Sequence, residues 1–375
     1  MTSRHQPAAQ TADGPHWILL NPGPVNLSAR VRQALLRVDL CHRQAEFLEF
    51  QETIRQQLLA VYDLDPARWA AVLLGGSGTT AVEAMLTSMV PRAGHLLVLE
   101  NGVYGERCSE IAGLHGIRHE DRSQPWTAAL DPAALEHRLS TGSQVSHVAV
   151  VHHETTTGRL NRLDQIAARC RTAGCRLLVD AVSSFGAEAI DFEGWEISAL
   201  VGTANKCLHA VPGISFVIVR RADLQPLDPA RSLSLDLFRH CQAQDRRDTL
   251  FTPPVQCCYA LSEALLELQE EGGWQARRQR YRQRAATLAA GLAELGMEAL
   301  LDRQETSASL CSYHLPAGMD YPQLAAALKK QGFIIYAGQG PLAGTIFRIA
   351  NMGALEDRDM ERLVQVFGEL PETSA

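Results

Sequence analysis

The sequence predicts an α/β fold: a mainly parallel sheet with helices on both faces, followed by a smaller α+β unit. Short apolar, strand-like runs alternate with helix-like stretches from about residue 72 to 219, with turn residues between them. From about residue 255 the pattern changes to two long helical stretches and then to a second, shorter strand–helix–strand series. At 375 residues and 46% apolar content, the chain is long enough for a large core and two domains. The expected division is a polar tail over 1–15, a large unit over 16–260 and a smaller unit over 261–375. The segment of about 16–30 is placed so that it can pack with the smaller unit.

Met1 to Pro15 is polar and aperiodic, which predicts a mobile tail. Trp17 to Val25 is an apolar start broken at Asn21-Pro22-Gly23-Pro24, where two prolines around a glycine fix the chain direction. That turn is either a structural loop or the lining of a cleft. Ser28 to Leu36 and Phe47 to Tyr62 have helical apolar spacing. Between them, His42 and Arg43 either bind an anion or lie on a solvated helix face. Val72-Leu73-Leu74 reads as a strand running into Gly75-Gly76-Ser77-Gly78-Thr79-Thr80, and Ala81 to Met89 as the helix after it. Small residues let a ligand approach the backbone, and the N–H groups of a helix start, with the Ser77 and Thr79 hydroxyls, suit a phosphate. The plainer alternative is a glycine turn with an N-cap; the stretch is neither a Walker loop nor GxGxxG.

His95 to Glu100 is the next strand, leading into Asn101 to Arg107, where Tyr104 sits between glycines and can lie flat on a ring. His147 to His152 is a strand followed by the hydroxyls of Thr155, Thr156 and Thr157. Arg162 to Thr172 is helical, and Arg176 to Asp180 is an apolar strand ending in an acid. Ile197 to Val201 and Ile214 to Val219 are strands on either side of Gly202 to Gly213. The charged stretch Asp245 to Pro254 breaks the chain, and Val255 to Glu270 and Trp274 to Leu295 are helices. Ala308 to Leu315, Phe333 to Tyr336 and Thr345 to Ile349 are strands, with helices over Tyr321 to Lys330 and Leu355 to Phe367.

Lys206 is the centre of the predicted chemistry. A lysine in a tight turn between two core strands is either an exposed turn residue or an amine activated by desolvation for Schiff-base chemistry. Asp180, 26 residues earlier, ends a buried strand where α/β folds place ligands, although an acid there can equally cap the next helix. An acid and a lysine together are what pyridoxal 5′-phosphate requires, one against the ring nitrogen and one for the aldehyde. Arg348 lies within the apolar strand Ile346 to Ala350 and needs an anionic partner, either a structural ion pair or a substrate acid.

Composition narrows the alternatives. A net charge of −7 argues against a nucleic-acid surface. No apolar run reaches membrane-spanning length, and no signal sequence opens the chain. Nine scattered cysteines show no metal-ligand spacing, which predicts reduced thiols in the cytoplasm and no metal.

Taken as an ordered series, several stretches resemble the class V, fold type I pyridoxal-phosphate aminotransferases. They are Asn21 to Pro24, Gly76 to Thr79 with Ala81 to Ala84, Asn101 to Gly105, His153 to Gly158, Asp180 to Gly186, Ala204 to Cys207 with Val211 to Gly213, and Phe347 to Ile349. Within that family they look most like the 2-aminoethylphosphonate–pyruvate transaminases. The resemblance covers roughly residues 17 to 368. It implies a mainly parallel seven-stranded sheet, a homodimer with shared active sites, phosphonate and keto-acid substrates, and no nucleic-acid or membrane partner.

By that resemblance Lys206 carries the cofactor and moves protons, and Asp180 pairs with the pyridine nitrogen. Tyr104 stacks on the ring, and Val182 also binds the cofactor. Ser77, Gly78, Thr79 and Thr203 hold the phosphate, Thr252 reaches the partner subunit's phosphate, and Thr155 touches the phenolic oxygen. Arg348 takes the substrate acid, with Pro22 and Gly23 beside it. The chain departs from the phosphonate-degrading members by carrying Cys41-His42-Arg43 in place of an acidic, Trp-containing stretch. Gln339 stands where a basic residue is expected, and Arg43 is the expected substitute. These departures open the biosynthetic direction and two rival activities: an alanine/serine–glyoxylate or –pyruvate aminotransferase, and a pyridoxal-phosphate lyase such as a desulfurase. A lyase of that kind needs a mobile catalytic cysteine, and none is assignable.

Overall fold

The computed structural model describes residues 17–142 and 144–370; the expected tail over 1–15 lies outside them. Strand β1 (Ile18–Leu19) leads into α1 (Ala29–Ala34) and α2 (Ala45–Ala60). Strand and helix then alternate through β2 (Trp69–Gly76), α3 (Gly78–Met89), β3 (Leu96–Glu100), α4 (Val103–Leu114), β4 (His119–Ser123), α5 (Pro132–Ser140) and β5 (His147–Val151). A hairpin of β6 (His153–Glu154) and β7 (Arg159–Leu160) precedes α6 (Leu163–Ala173), β8 (Arg176–Asp180), β9 (Ile197–Thr203), β10 (Gly213–Arg220) and α7 (Leu237–Asp245). Two long helices, α8 (Val255–Glu270) and α9 (Gly273–Glu294), lead to β11 (Leu310–His314), α10 (Tyr321–Lys330), β12 (Phe333–Ile334), β13 (Tyr336–Ala337), β14 (Ile346–Ala350) and α11 (Asp357–Gly368).

Seven strands form one sheet in the order β2-β10-β9-β8-β5-β3-β4, and only β10 runs against its neighbours. The continuous apolar runs have a physical cause: both faces of this sheet are covered. Along β2, Trp69, Ala71 and Leu73 enter the core beneath α2 and α8, while Ala70, Val72 and Leu74 enter the core beneath α3. β10 divides in the same way, with Phe216 and Ile218 on one side and Val217 and Val219 on the other. Because β2, β3, β5, β8 and β9 are parallel, their C-terminal ends meet along one edge. Ser77, Tyr104, Thr155, Val182 and Lys206 all follow those ends.

Several boundaries differ from the sequence expectation. The helix after β2 begins at Gly78 rather than Ala81, so Gly78 and Thr79 occupy its first turn. The expected strand over Phe333 to Tyr336 is two pieces: Phe333 pairs with Ile18, and Tyr336 pairs with Arg348 in the three-stranded sheet β11-β14-β13. Ile335 turns between them, which is how one apolar run serves two sheets. The expected divide at 260/261 falls inside α8. Leu261, Ala264, Leu265 and Leu268 pack into the large-unit core, so that core continues past it. β1 pairs with β12, and the Ala350 N–H donates to the Leu20 carbonyl at 2.7 Å, which fastens the N-terminal segment to the smaller unit.

Candidate active site

Lys206 lies in the turn between β9 and β10 with its amine donating to the Pro22 carbonyl. Burial pushes the amine from 10.5 down to about 8, partly offset by the charge of Asp180. The reading of Lys206 as an exposed turn residue is thereby excluded. Gly23 lies flat on the lysine stem at φ +94°, where an added Cβ would meet the Lys206 Cδ at 2.7 Å. Only glycine allows that approach. In the cofactor-free protein, the rate at which Lys206 is acylated is expected to rise with pH through about 8. Peptide mapping after timed labelling checks this, and a rise only near the ordinary lysine value would contradict it. Across that window the unfolded chain holds a proton the folded chain has lost, so folding stability also rises with pH.

Asp180 caps the end of β8 inside the same cleft. Its Oδ1 accepts from the Val182 N–H at 2.9 Å, and its Oδ2 makes no hydrogen bond among the described residues. Burial raises its carboxyl to about 6, against the pull of Arg107 and Lys206. A ring nitrogen carrying a proton would supply the partner that Oδ2 lacks. Val182 closes the other side: a Cβ on Gly78 would stand 2.8 Å from both Val182 methyls. The Ser77 hydroxyl caps no N–H of α3, so the first-turn N–H groups lack a side-chain cap.

Tyr104 opens α4, its N–H donating to Glu154 Oε2 at 3.2 Å. Glu154 is fully buried and also accepts from the Thr156 N–H at 3.1 Å; burial raises its carboxyl to about 7. The Thr155 hydroxyl is buried without a partner, while its carbonyl accepts from Arg348 Nη1 at 2.9 Å. Arg348 is 1% exposed, donates from Nε to the Ala337 carbonyl at 2.8 Å, and lies 5.0 Å above the Tyr336 ring. No carboxylate pairs with it among the described residues, and its Nη2 is buried without a partner. A buried cation held by carbonyls and left one donor short is a receptor for an acid group.

Other residues are placed differently. The Thr203 hydroxyl donates within its own turn, to Asn205 Oδ1 at 3.0 Å and the Ile214 carbonyl at 3.2 Å. Arg43 pairs with Asp248 at 2.9 Å and also donates to the Thr249 carbonyl, so its charge is already met. Thr252 is exposed, 3.5 Å from His42 Nε2. Among the described residues, neither Arg43 nor Thr252 hydrogen-bonds to Lys206, Asp180 or Arg348. This chain alone therefore does not deliver Arg43 to the substrate acid.

Sequence reasoning missed Glu154, Arg107 and His209. Arg107 follows Tyr104 by three residues on one helix face, a spacing that was legible. His209 Nε2 accepts the Gly353 N–H at 2.9 Å and lies 2.5 Å from Tyr281 Oη, tying the Lys206 turn to α9 and to the loop after β14. Burial holds that ring far below its ordinary pKa, so it stays neutral and accepting.

Comparison with known proteins agrees with this geometry. The family described as Aminotransferase class-V matches residues 35–352. A 2-aminoethylphosphonate–pyruvate transaminase of Aeromonas hydrophila is 42% identical, with 93% of each chain covered. One of Lactiplantibacillus plantarum is 36% identical over 94% of this chain and 97% of that one. Among solved structures, pyridoxamine–pyruvate aminotransferase from Mesorhizobium loti superposes with a TM-score of 0.87 at 27% identity, over 95% of this chain and 92% of that one. Alanine–glyoxylate aminotransferase from Nostoc sp. gives 0.87 at 26%, over 97% of each. With its lysine, acid and arginine converging at the strand ends of a matching fold, the chain belongs to the class-V aminotransferase family.

Proposed function

We propose that this chain is a pyridoxal-phosphate-dependent aminotransferase exchanging an amino group between 2-aminoethylphosphonate and pyruvate, with phosphonoacetaldehyde and alanine as the products. The observation that carries it is the pairing of a desolvated Lys206 with a buried Arg348 whose Nη2 lacks a partner. The two relatives described above, at 42% and 36% identity, bear that activity in their names, whereas the alanine–glyoxylate enzyme stands at 26%. The rival amino-acid donors are therefore second.

The residues present fit the cofactor. The first turn of α3 with Ser77, Gly78 and Thr79 suits its phosphate, Tyr104 and Val182 its ring faces, and Asp180 its nitrogen. Thr155 suits the phenolic oxygen. When bound, the cofactor supplies an electrophilic aldehyde and an electron-withdrawing ring. Asp180 would pair with the ring nitrogen, whose proton would favour its ionised form and which it would in turn hold protonated. Lys206, with a pKa of about 8, can both accept and return a proton at the reacting carbon near neutral pH. Arg348 offers its unpartnered Nη2 to a phosphonate or a carboxylate, so one group serves both half-reactions. Glu154 holds the start of α4, and Tyr104 with it, from below.

The assembly we propose is a cytoplasmic homodimer acting on small molecules, with no nucleic-acid or membrane partner. No helix among the described residues is long and apolar enough to cross a membrane, and the net charge is −7. Exposed Leu36, Val38 and Phe251 offer apolar surface to a partner subunit, and in the proposed dimer exposed Thr252 reaches the partner's phosphate site. A coupled assay with 2-aminoethylphosphonate and pyruvate, following alanine and phosphonoacetaldehyde in both directions, tests the activity. Equal formation of both products supports it. Turnover confined to alanine or serine as donor, or sulfide release from cysteine, would replace it with a rival.

A further inference from the structure

Arg107 is a cation without an acid. Its hydrogen bond among the described residues runs from Nη1 to the Thr79 hydroxyl at 3.3 Å, and no carboxylate pairs with it. The guanidinium lies 4.8 Å from the centroid of the Tyr104 ring. It is half-buried, and its charge is felt at both Asp180 and Lys206. The other two cations of the cleft have work assigned: Lys206 for the aldehyde and Arg348 for the substrate acid. Thr79, which Arg107 touches, lies in the first turn of α3, whose N-cap residue Ser77 makes no capping bond.

Charge shows what that cup lacks. A phosphate monoester carries about −1.5 to −2 at neutral pH. A helix N-terminus offers roughly half a positive charge, and hydroxyls offer none. A guanidinium has five donors in a planar fork, and Arg107 commits one of them. One helical turn after Tyr104, it lies over that ring and donates to Thr79 in the first turn of α3.

We infer that Arg107 binds the cofactor's phosphate group and supplies the formal positive charge of that site. This rests on the pyridoxal-phosphate reading above and adds to it a residue that the comparisons do not assign. The competing role is purely structural: a guanidinium stacked behind Tyr104 can merely prop the ring. The two roles separate because only one depends on the phosphate.

The experiment is a spectroscopic titration of cofactor-stripped protein with pyridoxal 5′-phosphate and, separately, with pyridoxal, which lacks the phosphate. Wild type, Arg107→Ala and Arg107→Lys are compared. Arg107→Ala is expected to raise the Kd for pyridoxal 5′-phosphate by roughly 10- to 100-fold, the range of a hydrogen bond to a charged group. Its Kd for pyridoxal stays unchanged, and Arg107→Lys recovers part of the loss by keeping the charge. Equal losses for both ligands, or no loss for the phosphorylated one, would overturn the inference. If circular dichroism shows Arg107→Ala misfolded, Arg107→Lys decides: a loss confined to the phosphorylated ligand supports the role, and any other pattern rejects it. Wild type that binds neither ligand would instead defeat the cofactor reading itself.

Discussion

Replacing Lys206 by alanine is expected to abolish turnover, by roughly 10⁴-fold or more, at or beyond the upper end of general acid–base effects. The reason is that one amine does two jobs in this cleft. It lies among Pro22, Gly23 and Asp180 with its charge disfavoured by burial, so it is both nucleophilic and able to carry a proton near neutral pH. No other lysine takes part: Lys329 and Lys330 are in the last turn of α10, in the smaller unit. The variant is also expected to lose the visible absorbance that a lysine-linked cofactor gives. Removing a buried amine leaves the fold intact, because the turn is held by other bonds. His209 clamps it to Gly353 and Tyr281, and Arg277 donates to the Cys207 carbonyl at 2.7 Å. Steady-state assays and absorbance spectra of the purified variant check both points. Normal turnover would remove Lys206 from the mechanism.

Arg348→Ala is expected to lower kcat/KM for both substrates on the order of 10²–10³-fold, mostly through KM, while cofactor affinity changes little. Arg348 is fixed by the carbonyls of Ala337 and Thr155 and by stacking on Tyr336, which leaves Nη2 buried without a partner. Phosphonate and carboxylate are both anions that can accept from Nη2, which is why one residue suffices for two acids. Arg348→Lys keeps the charge but not the fork, and should recover only part of the loss. Separate KM measurements for 2-aminoethylphosphonate and pyruvate decide the matter. An unchanged KM for either acid would contradict a shared receptor.

Much of this site was legible before any coordinates. The strands of the large sheet announced themselves because both faces are covered, so β2, β3, β5, β8, β9 and β10 read as apolar runs. Where that condition fails, the signal fails. β4 is His-Glu-Asp-Arg-Ser at the sheet's open edge, with nothing apolar to mark it. The start of α4 looked like a glycine loop, and α7 went unassigned, its few apolar residues lying between charged and polar ones. Lys206, Asp180 and Arg348 stood out because each is a charged residue set in apolar surroundings.

The sequence could not show how the remaining side chains are spent. Glu154 looked like a neighbour of the threonines, yet it is buried and binds the N–H that opens α4. The resemblance gives Thr203 to the phosphate, yet its hydroxyl donates within its own turn. Arg43 looked available, yet Asp248 neutralises it, from a position some two hundred residues away in sequence. Such pairings are set by tertiary contacts that local sequence does not encode.

The central claim is that Lys206 and Asp180 face one bound pyridoxal ring from the same cleft. The most direct measurement is reduction of the cofactor-loaded protein with borohydride, followed by proteolysis and mass mapping of the fixed label. The label should be found on Lys206 in stoichiometric yield, and its absorbance before reduction should change when Asp180→Ala removes the acid opposite the ring nitrogen. A label on any other lysine, or a spectrum indifferent to Asp180→Ala, would contradict the site described.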